Sequence, residues 1–250
     1  VRVRASVGSG YKAPAFRQLY LSFTNARVGY SVFGAEQVQE DLAELEEQGQ
    51  IDTYLIDPST LGGSVDAERS VAFNAGVSLD LIPDVSMRLN LFHNEVRDLI
   101  DTQPVARKTN GQQAFTYFNR GSVFTRGLEA ELTWQALTPL ELTLSYTYLQ
   151  AKDRDVLDDL EAGRIYRRSD AGRDVVVPTS DYAGLPGRSR HRTTASLTYR
   201  HAPLGLTVDA RARYRSRYGF GDRNGNGIVD VDREYAPGYA VVDLTLTKTL

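Results

Sequence analysis

The sequence predicts an all-β chain: an antiparallel transmembrane β-barrel segment of about eight long strands, with short periplasmic turns and long extracellular loops. Three observations predict it. Apolar and polar residues alternate with period two in segment after segment. Short and long connections alternate strictly. Aromatic residues cluster at both ends of the apolar faces. The 250 residues suffice for one or two domains, and one barrel domain over 1–250 is expected.

Composition removes several alternatives. Zero Cys excludes a disulfide framework, thiolate metal sites and Cys catalysis. Lys and Arg number 29 against 32 Asp and Glu, so a net charge of -3 gives no basic field for nucleic acid. No apolar run approaches the roughly 20 residues of a spanning helix. The chain opens directly in a strand pattern, Val1 to Val7, so these residues are expected to be strand rather than signal peptide. A mean hydropathy of -0.36 would read as soluble. A membrane β-barrel gives the same value, because its apolar surface occupies every second residue. The 14 Tyr beside 1 Met and 1 Trp also suit β-structure.

The opening segment is followed by a strand from Ser70, with Val71, Phe73, Ala75, Val77, Leu79 and Leu81 on one face. After the turn at Pro83-Asp84 come Val85, Met87, Leu89 and Leu91 against Ser86, Arg88 and Asn90. From Gly127, Leu128, Ala130, Leu132 and Trp134 oppose Glu129, Glu131 and Thr133. A turn at Thr138-Pro139 leads to Leu142, Leu144, Tyr146 and Tyr148. Thr193, Ala195, Leu197 and Tyr199 precede a turn at Ala202-Pro203, and Leu206, Val208, Ala210, Ala212 and Tyr214 follow it. Opposite these stand Arg211, Arg213 and Arg215, three charges in a row that a dry core would not accept but a polar lumen would. The last segment sets Val242, Leu244 and Leu246 against Asp243, Thr245 and Thr247.

Long connections are expected at about 14–69, 101–113, 152–188 and 216–237, all on one rim. Tyr146, Tyr148 and Tyr214 fall at the long-loop ends of their faces, Trp134 and Tyr199 at the short-turn ends. Two girdles bounding an aliphatic band are what bilayer interfaces select. Within the first loop, Ala35 to Gln48 predicts a helix with Val38, Leu42 and Leu45 on one face. The charged run Asp153 to Glu161 is expected to be solvated loop.

The sharpest local motif runs from Asp222 to Glu234. Oxygen-bearing Asp222, Asn224, Asn226 and Asp230 stand at positions 1, 3, 5 and 9, with Gly at 6 and the Ile228 carbonyl at 7. That spacing matches an EF-hand-type Ca2+ loop. Position 12 is Arg233, so Asp232 or Glu234 would have to close the site out of register. The competing reading is a polar Asn-Gly turn. No cofactor is required, and Ca2+ here is the one candidate. His93, His191 and His201 have no metal-ligand partners at useful spacing. No Ser-His-Asp arrangement survives either, so no enzyme is expected.

Several segments resemble the TonB-dependent outer-membrane receptor family. Gly10-Tyr11-Lys12-Ala13-Pro14 is similar to its strand-end motif, and Leu91-Phe92-His93-Asn94 through Leu99-Ile100 to a later strand. Glu68-Arg69-Ser70, Tyr117-Phe118-Asn119, Gly127 to Glu131, Leu144 to Tyr148, Leu185 to Arg192 and Tyr235 to Tyr239 follow in family order. The resemblance implies a large barrel around a plug domain, in the outer membrane of a Gram-negative bacterium. It implies uptake of a scarce nutrient such as a ferric siderophore or cobalamin-like chelate, energised by TonB. No plug, TonB-box, first barrel half or final hairpin with its terminal aromatic is recognisable, so the chain reads as an interior slice. The expected partners are outer-membrane lipid, the TonB complex through the plug, and a small-molecule metal chelate, with no nucleic acid.

Family members bind ligand with loop tips. The candidates that follow are Tyr30, Phe33, Tyr54, Arg164, Tyr166, Arg167, Arg168, Tyr182, Tyr218 and Phe220. Arg suits carboxylate- or catecholate-rich chelates, and Tyr gives rigid amphipathic contact. For any one of them, loop–loop packing or lipopolysaccharide contact is the competing role. The alternative function is a self-contained small outer-membrane barrel with an adhesin or structural role. A barrel hydrolase is a third.

Overall fold

A computed structural model describes residues 1–169 and 171–249; Asp170, in the expected 152–188 loop, and Leu250 lie outside the described residues. The long strands are β1 (Arg2–Lys12), β2 (Glu68–Ile82), β3 (Val85–Lys108), β4 (Gln113–Leu137), β5 (Leu140–Asp153), β6 (His191–His201), β7 (Leu206–Arg215) and β8 (Tyr239–Lys248). They lie in one sheet in chain order, β1 to β8, with β1 and β8 at its two ends. The short turns fall at Pro83-Asp84, Thr138-Pro139 and Ala202 to Gly205. Gly205 takes a left-handed φ of 56°, and a Cβ there would stand 2.8 Å from the Thr249 carbonyl oxygen, so glycine fits this turn twice over.

The chain forms two compact units, one of Val1–Gly8, Val71–Glu95 and Val123–Leu250, the other of Ser9–Ser70 and Val96–Ser122. In the first, register aligns like with like across five strands, β4 to β8. Leu132, Leu144, Ala195, Ala212 and Val242 form one lateral row; Trp134, Leu142, Leu197, Ala210 and Leu244 form the next. Among the described residues no layer packs over these rows: Leu244 is 66% exposed and Val242 72%. Apolar side chains in register yet uncovered are what lipid, acting as the second layer, requires.

The opposite face is polar and cross-linked. Arg88 pairs with Glu131 at 2.7 Å, Asn90 with Glu129 at 3.1 Å, and Thr198 with Asp209 at 2.7 Å. Of the three stacked arginines, Arg213 meets Asp243 at 2.8 Å. Gly127 sits on this face, where a Cβ would stand 1.9 Å from the Tyr148 carbonyl oxygen and 2.8 Å from the Phe92 ring. Only a glycine lets β4 and β5 approach so closely while an aromatic ring covers the gap.

The clusters of buried apolar residues form instead where the loops pack. In the second unit, helix α1 (Val38–Glu47) turns Val38, Leu42 and Leu45 onto Phe33, Leu61, Val105, Ala106 and Ala114, as its spacing predicts. The expected 101–113 loop is corrected here: β3 runs on to Lys108 and β4 restarts at Gln113. The physical reason is burial. Val105, Ala106 and Ala114 are fully covered by this loop core, and the short strand Ile51–Tyr54 pairs against β3, so the extended hairpin is packed rather than solvated.

Two joints in this unit connect the family-like motifs. Lys12 donates to Glu68 at 2.7 Å, and the same carboxylate accepts the Ile100 N–H at 3.1 Å. Asn119 donates to the carbonyls of Asp98 and Asp66, holding Asp98 at a left-handed φ of 56°. A non-glycine there needs such support.

Candidate functional site

In the first unit the loops after β5 and β7 build a second small core. The run Asp153 to Glu161 is not the solvated loop expected. It is helix α2 (Arg154–Glu161), N-capped by the Asp153 carboxylate, which accepts the Asp155 N–H at 3.0 Å. Val156, Leu157 and Leu160 recur at helical spacing, and Leu160 packs with Val177, Tyr182 and Ile228. That covered stripe is why the charges do not keep the segment open.

Beside this core lies a cavity of about 770 Å³. The segment Gly187 to Arg190 forms one wall and is clamped from β7. Arg215 donates to the buried Ser189 hydroxyl at 2.5 Å and to the Gly187 carbonyl at 2.6 Å, while its guanidinium lies 3.9 Å from the Tyr218 ring centroid. With Ser189 buried, its exposed neighbours Arg188 and Arg190 line the cavity. The opposite wall is the short hairpin of Tyr166–Arg168 and Asp174–Val176. Arg167 is spent on structure: it donates to Asp181 at 2.8 Å and to Asp230 at 3.3 Å. The hydrogen bond to Asp181, and a weaker one to Asp230, hold its pKa above the ordinary guanidinium value despite burial. Arg217 pairs with Asp232 at 2.9 Å. Among the described residues Arg168, Arg188 and Arg190 have no acidic partner, so the cavity carries surplus positive charge. Such a site attracts an anion.

The expected contact residues divide. Arg167, Arg168 and Tyr218 come together at this cavity. Tyr166 and Phe220 are exposed outside it, and Arg164 is held by Asp159 at 2.8 Å. Phe33 and Tyr182 need correction: they are 4% and 3% exposed, because each ring packs into one of the two loop cores, Phe33 with Val38 and Leu42, Tyr182 with Leu160 and Val177. In the second unit Tyr30 packs edge-on to Phe23. Tyr54 donates to Glu46 at 2.9 Å, and burial with that hydrogen bond pushes its pKa up to about 12. Arg188 and Arg190 were missed as ligand candidates. The signal was present in the alternation Arg-Ser-Arg before a strand, read only as part of a family motif.

The Asp222–Glu234 segment closes upon itself. Asp222 accepts the N–H groups of Asn224, Gly225 and Gly227; Asn224 and Asn226 accept those two residues further on. The Asn224 amide donates to Asp230 at 2.9 Å, and Arg167 brings a positive charge to the same carboxylate. Glu234, fully buried, accepts four backbone N–H groups, from Arg223, Asn224, Asp230 and Val231. Burial alone would raise its pKa; the four donors outweigh that and lower it. Among the described residues no group of three or more His, Cys, Asp or Glu is placed to hold a metal ion. Asp232 is turned to Arg217 and Ile228 is packed in the core. In this arrangement backbone N–H groups and Arg167 supply the positive ends that face these carboxylates.

Comparison with known proteins places the whole chain in one family. The model of the TonB dependent receptor-like β-barrel matches residues 1–250. No curated protein matches. A mutant of the ferric enterobactin receptor of Pseudomonas aeruginosa is similar in structure, with a TM-score of 0.59 at 17% identity over 99% of this chain and 30% of that one. The copper transporter OprC gives 0.57 at 14% identity, over 98% and 28%. The siderophore receptor PirA of Pseudomonas aeruginosa gives 0.53 at 13% identity, over 98% and 39%. The chain thus spans well under half the length of these receptors.

Proposed function

Because the chain belongs to the TonB-dependent receptor-like β-barrel family, we propose that it forms part of a receptor barrel in a Gram-negative outer membrane, importing a scarce nutrient with energy from TonB. Its strands supply wall, and its long loops supply the ligand-catching surface. The cargo is an anionic metal chelate of the ferric siderophore class. The observation that carries this reading is the cavity of about 770 Å³ with Arg168, Arg188 and Arg190 unpaired among the described residues. Guanidinium forks match the paired oxygens of carboxylate and catecholate groups and stay charged at any working pH.

The work is transport, not catalysis. Arg215 and Ser189 fix the backbone between the two cavity arginines, so binding immobilises side chains already held at their base. Docking at the loops precedes passage, and movement of a plug against the polar face would open the way. The self-contained eight-stranded barrel is the weaker reading, since β1 and β8 end the strand order without pairing among the described residues.

The test is uptake of an iron-labelled anionic chelate by iron-starved cells producing the full-length receptor. Replacing Arg168, Arg188 and Arg190 together by Gln is expected to weaken chelate binding at least about tenfold. Unchanged binding, or equal uptake of a cationic complex, overturns the proposal.

A further inference from the structure

Just beyond the tyrosine girdle, the apolar face of β4 and β5 changes character. The lateral pairs on that face run Leu132–Leu144, Ala130–Tyr146 and Leu128–Tyr148, and then Arg126–Gln150 and Phe124–Lys152. Two residues along a strand advance it by about 7 Å. Arg126 therefore stands one such step past Leu128 and Lys152 two steps past Tyr148, the depth at which phosphates follow the hydrocarbon edge.

The cations there are organised around a buried ring. The Arg126 and Arg154 guanidiniums lie 5.2 and 5.0 Å from the Phe124 centroid. The Lys152 ammonium lies 5.3 Å from that of Tyr182. Arg154 is neutralised by Glu95, with contacts of 2.5 and 2.6 Å. Arg126 is braced by the Gln150 amide oxygen at 2.9 Å and has no acid among the described residues. Lys152 is partly desolvated by burial and faces the like charges of Arg190 and Arg126. Two surplus positive charges thus cap the band. Beside them lies an apolar groove of about 640 Å³, lined by Val7, Phe73, Leu91, Leu128 and Tyr148, with Arg126 also in its lining.

We propose that Arg126 and Lys152 bind the phosphate of an acylated glycolipid of the outer leaflet, whose acyl chains lie in this groove. Charge complementarity and the continuity of cation, aromatic and apolar surface select a lipid over a soluble anion. A free anion would use the cations and leave the groove unfilled. Such a lipid would hold the loops after β5 at a fixed height above the membrane.

The proposal rests on the membrane reading of this face, not on the identity of the imported chelate. The test reconstitutes the full-length receptor in phosphatidylcholine vesicles carrying either bisphosphorylated lipid A or its dephosphorylated form, and measures lipid retained on the purified receptor. The phosphorylated lipid is expected to be retained selectively. Each near-surface charge contributes enough that Arg126→Gln weakens retention about fivefold, and Arg126→Gln with Lys152→Gln about thirtyfold. Arg126→Lys restores most of it, which a purely structural role for Arg126 would not allow. Inorganic phosphate is expected not to compete. Equal retention of both lipids, unchanged retention by the double variant, or competition by inorganic phosphate overturns the headgroup site. A receptor that fails to insert in either vesicle overturns the membrane reading, and this site with it.

Discussion

The strands and the loops treat the same residue types in opposite ways. Leu42 in α1 is fully buried, whereas Leu244 in β8 is 66% exposed. Leu160 packs in a loop core, whereas Leu91 stands open on the sheet. The two clusters of buried apolar residues form where loops pack, the first of them against the far ends of β3 and β4. The difference teaches that two solvents act on one chain. The loops fold against water and hide their leucines; the strands meet lipid, which makes outward leucines the low-energy choice.

The comparison is sharpest in truncation and charge insertion, measured on the full-length receptor in bilayers. Leu42→Ala should destabilise the first-loop assembly by about 2–5 kcal/mol, since it opens a cavity in a closed core. It should be read as earlier proteolysis of residues 14–67. Leu244→Arg should cost about 2–4 kcal/mol in lipid, read as a lower unfolding midpoint in urea. Leu244→Ala should cost much less than Leu42→Ala, because lipid fills the space it leaves. Equal costs for the two alanine variants would break the comparison.

Gly127→Ala should cost about 1–3 kcal/mol, because a methyl cannot enter between β4 and the Tyr148 carbonyl without displacing a strand. The smallest effect concerns Glu234. Its pKa is depressed in the folded loop, so its contribution is complete above the ordinary value of 4.5 and is lost as pH falls through the folded value. Protease nicking within 216–237 should therefore rise only in acid, and Glu234→Gln should raise it at neutral pH. Adding or chelating calcium should leave it unchanged.

Much of the wall was legible because its pattern is local. Period-two alternation from Leu128 to Trp134 or from Leu206 to Tyr214 states both strand and face without reference to any partner. The helix of the first loop was legible for the same reason. What escaped depended on neighbours distant in sequence. Thr102 to Lys108 reads as loop until the core formed by α1 covers Val105 and Ala106. Asp153 to Glu161 reads as solvated charge until Val177 and Ile228 receive Leu160. Of the candidate residues, the sequence named Arg167, Arg168 and Tyr218, which line one cavity, but that Arg167 is consumed by Asp181 and Asp230 required the fold.

The central claim is that one face of these strands meets hydrocarbon and the other a polar lumen. Single cysteines placed in turn from Thr207 to Tyr214 in a cysteine-free full-length receptor test it directly, each spin-labelled and exposed to oxygen and to a water-soluble nickel complex. Labels at 208, 210, 212 and 214 are predicted to favour oxygen, and those at 207, 209, 211 and 213 to favour nickel. Two sets with the same preference, or a row of even-numbered labels closed to both reagents, would contradict the account.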